Sequence, residues 1–260
     1  MLQPFRCWKA TALLIVVLVF TIFHPNSQLP SHHTSSSEPR VAIVTFTTTQ
    51  QSFTYLSLKN KRAYAQRHDY DLFVDFEGSN ERGTMWHKFV MVEQVIKGGE
   101  HDWVWWIDFD TLITNTSTKL TDIITDSLHG LPNPEEIDFL LTADCFPLNA
   151  GSMLMRAHPR TLEFISRVRA YGDANPDLSE QDCIRDLINL NAHNEDRHTL
   201  FIPQWKINAF PDEIRCWDEY QKGWEWGSFV LHFAGAWAHV KQDDPVGFLM
   251  RKYESQIIWD

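Results

Sequence analysis

Cysteine is scarce in this chain, with four among 260 residues. That is too few, too widely spaced, for a disulfide scaffold or a zinc module. Positive charge is also in deficit: 23 Lys and Arg face 34 Asp and Glu, for a formal net charge of -11. Gripping a phosphate backbone needs a basic surface, which argues against nucleic acid as a partner. No internal repeat is visible. What the chain does hold is apolar and aromatic: 43% of its residues are hydrophobic, 13% are aromatic and eleven are Trp. That composition excludes disorder over most of the length and suffices for the core of one large domain, hardly two.

Ala10 to Phe23 (ATALLIVVLVFTIF) carries no charge and follows Arg6 and Lys9. As a helix it would span roughly 21 Å, short of the ~30 Å of an average hydrocarbon core. It suits a signal-peptide h-region in length, but His24-Pro25-Asn26-Ser27 offers no small-x-small cleavage pair. The favoured reading is an uncleaved signal-anchor, helped by Trp8 and the Lys9 stem. It gives a cytoplasmic tail over 1–9, an anchor over 10–23 and a flexible Ser/Pro/His-rich stem over 24–40. Residues 41–260 would then be a luminal domain on a single-pass type II protein of the Golgi (or ER) membrane. Asn115-Thr116-Ser117 is a glycosylation sequon in that setting. Cys145, Cys183 and Cys216 allow at most one bridge, with the pairing open.

Strands are expected at Val41–Phe46, Tyr70–Phe76, Trp103–Ile107, Ile137–Thr142, Gly151–Met155 and Phe229–Phe233. Helices are expected over Phe53–Arg67 with Ser52 as cap, from Thr84 to Gly98-Gly99, and over Thr161–Ala170. Others are expected from Ser179 to about Leu190, and over Gly247–Ile258. Strands alternating with helices imply an α/β class with a largely parallel sheet, whose ligands gather at the carboxyl ends of strands.

Trp103 to Asn115 (WVWWIDFDTLITN) drives a strongly apolar strand into Asp108-Phe109-Asp110. In an extended chain residues i and i+2 face the same side, so the two carboxylates would converge and repel. A divalent cation removes that conflict, and oxygen ligands suit manganese or magnesium. Asp-x-Asp alone is weak evidence. A second copy, Asp69-Tyr70-Asp71, reads as a turn without metal. Charges in the apolar setting of Asp108 and Asp110 need partners, and that separates the two copies.

Four stretches in order carry a family resemblance: WWIDFDTLITN, NAGSMLMR (Asn149–Arg156), SEQDCIRDL (Ser179–Leu187) and FVLHFAGAW (Phe229–Trp237). Together they resemble glycosyltransferase family 34, closer to its fungal Golgi α-galactosyl- and α-mannosyltransferases than to its plant xyloglucan xylosyltransferases. The likeness extends over roughly Val41 to Val240. It implies a GT-A fold, a single Rossmann-like domain, and transfer of a hexose from a nucleotide sugar (UDP- or GDP-hexose) to a glycan acceptor with retention. It implies Mn2+ (or Mg2+) held by Asp108 and Asp110, with His232 as a further ligand. Donor contacts are implied at Thr45, Thr47, Lys88, Asn149, Gly151, Ser152 and Gly235.

Each of these has a bland alternative: strand threonines, a solvated helix lysine at Lys88, a plain turn at Asn149–Ser152, a core histidine at His232. The resemblance places Glu180 and Gln181 at the anomeric centre, with Asp182 beside them. A carboxylate there would serve double displacement, and Gln181 a front-face attack. Ser179 with Asp182 is equally a plain helix cap. Plant members carry a Lys after the His motif where this chain has Ala236-Trp237, which removes an expected phosphate contact. Trp205, Trp217, Trp224, Trp226 and Trp237 are core or acceptor residues, with Gly223 to Gly227 the best acceptor loop. The reading from another class is a non-catalytic subunit, with other glycosyltransferase subunits as partners.

Overall fold

The computed structural model describes residues 38–78 and 82–259. The tail, the anchor and all but the last residues of the stem lie outside them. Among the described residues no helix is long and apolar enough to cross a membrane.

The elements run β1 (Val41–Phe46), α1 (Thr54–His68), β2 (Asp71–Asp75), α2 (His87–Gly98), β3 (Trp103–Ile107), β4 (Thr111–Ile113) and α3 (Leu120–Leu128). They continue with β5 (Phe139–Thr142), β6 (Asn149–Arg156), α4 (Pro159–Ala174), α5 (Glu180–Leu190), α6 (Glu195–His198) and β7 (Thr199–Phe201). Last come β8 (Val230–His232), α7 (Ala236–His239) and α8 (Pro245–Glu254). Six strands form one sheet in the order β2-β1-β3-β6-β5-β7, while β4 and β8 form a two-stranded ribbon. β2, β1 and β3 pair in parallel, β7 is parallel to β5, and β6 is antiparallel to both its neighbours.

β3 shows why the sheet is buried on both faces. Val104 and Trp106 enter a core with α2, α4 and α5, whereas Trp103 and Trp105 enter one with α1 and α3. All five β3 residues are buried. This is the continuous apolar run expected of a central strand covered by helices. A third apolar cluster joins Leu56 of α1, Leu112, Leu231 and Leu249 of α8, and so fixes the ribbon to the domain.

The capping box at Ser179 is present: its side chain accepts from Asp182 N, and Asp182 bonds back. Gly99, at φ 71°, ends α2 in the left-handed region that glycine adopts at little cost. Two expected caps are not made. Ser52 bonds the Asp244 carboxylate instead of capping α1, and Thr84 begins a short 3-10 turn before α2. α8 ends at Glu254, short of the expected Ile258. Cys145 pairs with Cys216, and Cys183 is buried and free.

Candidate metal and donor site

β3 ends at Ile107, beside Ser152 of β6, so the antiparallel β6 brings its amino end to the carboxyl edge of the parallel strands. Asp108-Phe109-Asp110 is a turn between β3 and β4, not an extension of the strand as expected. Phe109 is 8% exposed and packs into the third core, which pulls the turn over. Thr111 Oγ1 donates to Asp108 O at 2.7 Å, and Asp108 N donates to Gly151 O at 2.7 Å. The carboxylates still converge, through a turn.

The third member arrives on β8, where His232 is opposite Thr111. Its Nε2 lies 3.4 Å from Asp110 Oδ1 and 4.0 Å from Asp108 Oδ2. One ligand atom from each of Asp108, Asp110 and His232 falls within 4.8 Å of the other two. Two carboxylate oxygens and one imidazole nitrogen at that spacing fit manganese, which accepts both donor types. Asp144, Cys145 and Cys216 form the other such grouping among the described residues, but its two sulfurs are bonded to each other.

A chain of buried amides sets the tautomer of His232. Gly151 N, a donor without alternative, reaches Asn149 Oδ1 at 2.9 Å. Asn149 Nδ2 therefore points to Asp144 Oδ2, at 2.8 Å. Asn208 Nδ2 donates to Asn149 Oδ1 and to Thr142 Oγ1, both at 2.9 Å. That leaves Asn208 Oδ1 as acceptor for His232 Nδ1 at 2.7 Å. In the neutral ring the proton sits on Nδ1, and the Nε2 lone pair faces the two aspartates. Gly151 has its own reason to be glycine: a Cβ would run into the His232 ring and lie 3.0 Å from Asp108 Oδ2.

The electrostatics match a site short of one cation. Burial pushes His232 down, but Asp110 and Asp108 more than reverse it, so the ring binds a proton readily. Burial pushes Asp108 up against the pull of Lys88. For Asp110, His232 outweighs burial and holds the carboxyl low. Two lysines flank the pair. Lys88, 1% exposed, donates to Glu180 Oε1 at 2.9 Å and lies 4.0 Å from Asp108 Oδ1. Burial pushes Lys88 down, but Glu180 and Asp108 raise it above the ordinary lysine range. The solvated-helix alternative for Lys88 is thereby overturned. Lys61, fully buried, donates to Thr111 O at 3.0 Å and Ser57 Oγ at 2.8 Å beneath the turn. Burial pulls its pKa from 10.5 to about 7, with Asp110 and Asp108 opposing.

The other expected residues divide. Thr47 lines a cleft of about 520 Å3 together with Gln51, Asp108, Asp110 and Asp244. Thr45 is 0% exposed with its hydroxyl unpartnered, and it does not line the cleft that Thr47 lines. Ser152, also 0% exposed, accepts from Trp105 Nε1 at 2.9 Å on the core side of β6. Gly235 sits at φ 64° in the exposed turn that opens α7. Gln181 Oε1 accepts from Ala150 N at 2.8 Å, which ties the start of α5 to β6. Asp182 is taken up by Ser179 Oγ at 2.6 Å and Arg185 at 2.6 Å, turned to its cap. Trp226 is 70% exposed but lies beside Thr118 and Phe229, at the end of β8 remote from His232.

Asn208, Asp144 and Lys61 belong to the site and were not singled out in the sequence. The stretch Gln204–Phe210 carries no motif. Lys61 sits among charged neighbours on a helix, which reads as a solvated face.

An α/β sheet of this order, with an Asp-x-Asp turn at its carboxyl edge and a histidine closing on it, defines a glycosyltransferase-type fold. The chain belongs to the galactosyl transferase GMA12/MNN10 family, whose profile matches residues 37–243. It is 27% identical over 212 residues to an uncharacterized alpha-1,2-galactosyltransferase of Schizosaccharomyces pombe, covering 68% of this chain and 55% of that one. It is 33% identical over 127 residues to the probable alpha-1,6-mannosyltransferase MNN10 of Saccharomyces cerevisiae, covering 39% of this chain and 32% of that one. A glycosyltransferase involved in glycosylation of the PBCV-1 major capsid shares the fold, with TM-score 0.59 at 15% identity over 82% of this chain and all of that one. The chain spans 55% of the first of these curated relatives and 32% of the second.

Proposed function

We propose that this chain is a metal-dependent, retaining hexosyltransferase that moves galactose or mannose from a UDP- or GDP-sugar to a glycan acceptor in the secretory pathway. The observation that carries the reading is the convergence of His232 Nε2 with the Asp108 and Asp110 carboxylates, 4.0 Å and 3.4 Å away. A divalent cation bound there supplies Lewis-acid stabilisation of charge on a departing nucleoside diphosphate.

The chain's own residues do the rest. Asp108, Asp110 and His232 hold the cation, and the Asn149–Asn208 amides keep His232 in its binding tautomer. Thr47 and Gln51 line the cleft that continues from the aspartates and would receive the nucleotide. Gly151, with no side chain, lets the His232 ring close on the aspartates. Lys88 neutralises Glu180 and leans on Asp108, which limits the repulsion at the turn. With Glu180 paired to Lys88 and Asp182 to its cap, the geometry favours front-face transfer, in which Gln181 would border the anomeric centre. The type II topology of 1–40 and the placement of 41–260 in the Golgi (or ER) lumen belong to the same proposal.

The test is release of nucleotide from a panel of UDP- and GDP-hexoses by the full chain. Release stimulated by manganese, stopped by EDTA and absent in Asp110→Ala supports the reading. Silence towards every donor, in a chain that assembles with other glycosyltransferase subunits, would favour the non-catalytic alternative.

A further inference from the structure

A second cleft, of about 510 Å3, opens on the opposite side of the aspartates from the Thr47 cleft. The strand order explains the placement: the Thr47 cleft follows β1, the metal turn follows β3, and this cleft follows β5 and β7. Three large aromatic rings stand open in its lining, Phe146 at 63% exposure, Tyr220 at 58% and Phe201 at 44%. Exposed apolar surface gathered in one concavity marks a binding site more often than chance packing does. Its polar lining includes Asp144, Glu219 and Asn189, and none of its described lining residues is basic. That rules against an anionic occupant such as a nucleotide. It suits a neutral polyhydroxyl one, whose CH faces stack on rings while its hydroxyls donate to carboxylates.

The backbone that carries the rings is held in advance. Phe146 follows Cys145, and Tyr220 follows Cys216 by four residues, so the disulfide joins the two lips. Asp144 Oδ1 accepts from Phe146 N at 2.6 Å. Asp218 accepts from Tyr220 N at 3.1 Å and from Gln204 N at 2.8 Å. A preorganised backbone lowers the ordering cost of binding. Asp144 also joins the cleft to the metal corner, because its Oδ2 holds Asn149 at 2.8 Å, and Asn149 in turn holds Gly151 and Asn208.

We infer that this cleft is the acceptor site and takes a neutral glycan, with a sugar ring stacked on Phe146 or Tyr220. The inference rests on the transferase reading and places the acceptor elsewhere than the Gly223–Gly227 loop favoured from the sequence. Full-length protein with manganese would be titrated with α-linked mannose and galactose disaccharides, followed by saturation-transfer NMR. At least one disaccharide is expected to bind, and the Phe146→Ala/Tyr220→Ala double variant should weaken it at least tenfold. Glu219→Gln should weaken it less, and the remote Trp226→Ala should leave it as in the wild type. The inference is overturned if no disaccharide binds, if the double variant binds as the wild type does, if Trp226→Ala is the variant that loses binding, or if only a lysine-rich peptide occupies the cleft. Donor hydrolysis by the wild type is read separately. Sugar binding without any donor hydrolysis would sink the transferase reading and leave a glycan-binding cleft.

Discussion

Two charged corners of this domain look alike in composition and differ in how their charges are answered. At one end of the sheet Asp138, 0% exposed, is gripped by Arg160 through Nε at 2.7 Å and Nη2 at 2.9 Å. Arg156 stands 3.9 Å and His198 3.7 Å from the same carboxylate. That corner borders a cavity of about 350 Å3 and has more cation than anion at its centre. At the other end Asp108 and Asp110 share His232 Nε2, 4.0 Å and 3.4 Å away, and Lys88 stands 4.0 Å from Asp108 while bonded to Glu180. Lys61 beneath them spends its ammonium on carbonyls of the turn. A carboxylate saturated by arginines holds a fold together, whereas one left under-answered beside an open cleft is prepared for a cation from outside.

Replacing one residue at a time separates the two corners. Asp110→Ala should lower metal-stimulated nucleotide release by about 10²–10³-fold, in line with the loss of one electrostatic contact to developing charge. Its melting temperature should change little, because the loss of the Asp108 repulsion is offset by the loss of the His232 attraction. Asp138→Asn should do the reverse, costing ~3–5 kcal/mol in chemical denaturation by leaving arginines uncompensated, with donor turnover per folded molecule retained. If Asp138→Asn abolished turnover at unchanged stability, the division between the corners would be wrong.

Asn208→Ala sharpens the contrast, since Asn208 is no proposed ligand itself and acts only through His232 Nδ1, which donates to it at 2.7 Å. Loss of a partner that orients a ligating histidine weakens metal affinity by roughly 10–100-fold, readable by calorimetry with manganese alone. Asn208→Asp, which still accepts from Nδ1, should recover part of that loss. Equal affinities in wild type and Asn208→Ala would remove the amide relay from the account.

The smallest effect concerns Lys61 and pH. Its folded pKa of about 7 lies below the unfolded value of 10.5, so between those values the unfolded chain binds the extra proton. Stability therefore rises with pH across that window, by at most ~1.4 kcal/mol per pH unit from this group, and the contribution is lost as pH falls towards 7. Lys61→Met should flatten the slope of denaturation free energy between pH 7.5 and 9.5. A slope identical to the wild type would show that Lys61 does not lose its proton in the native state.

The sequence announced the strands and candidate ligands whose constraints are local. Trp103–Ile107 could only be a covered strand. Asp108 and Asp110 stood out because charge is costly in such a setting, and the Ser179 capping box was readable from four residues. β4, three residues long, was hidden inside the run that ends at Asn115. Thr45 and Ser152 are fully buried: Ser152 follows Gly151 on a strand that turns neighbours to opposite faces, and Thr45 lies inside β1, two residues before the cleft-lining Thr47. Asn208, Asp144 and Lys61 were illegible for a different reason: a buried asparagine and a surface one are spelled alike, and only the folded neighbours show which carbonyl or imidazole needs them.

Asp108, Asp110 and His232 are together expected to hold one divalent cation. Titrating manganese into the full-length protein, with free Mn2+ followed by electron paramagnetic resonance, tests that expectation without any donor or acceptor. One site is expected in the wild type and in Asp138→Asn, lost in Asp110→Ala and in His232→Ala. Binding that persists undiminished in both of those last variants would contradict it.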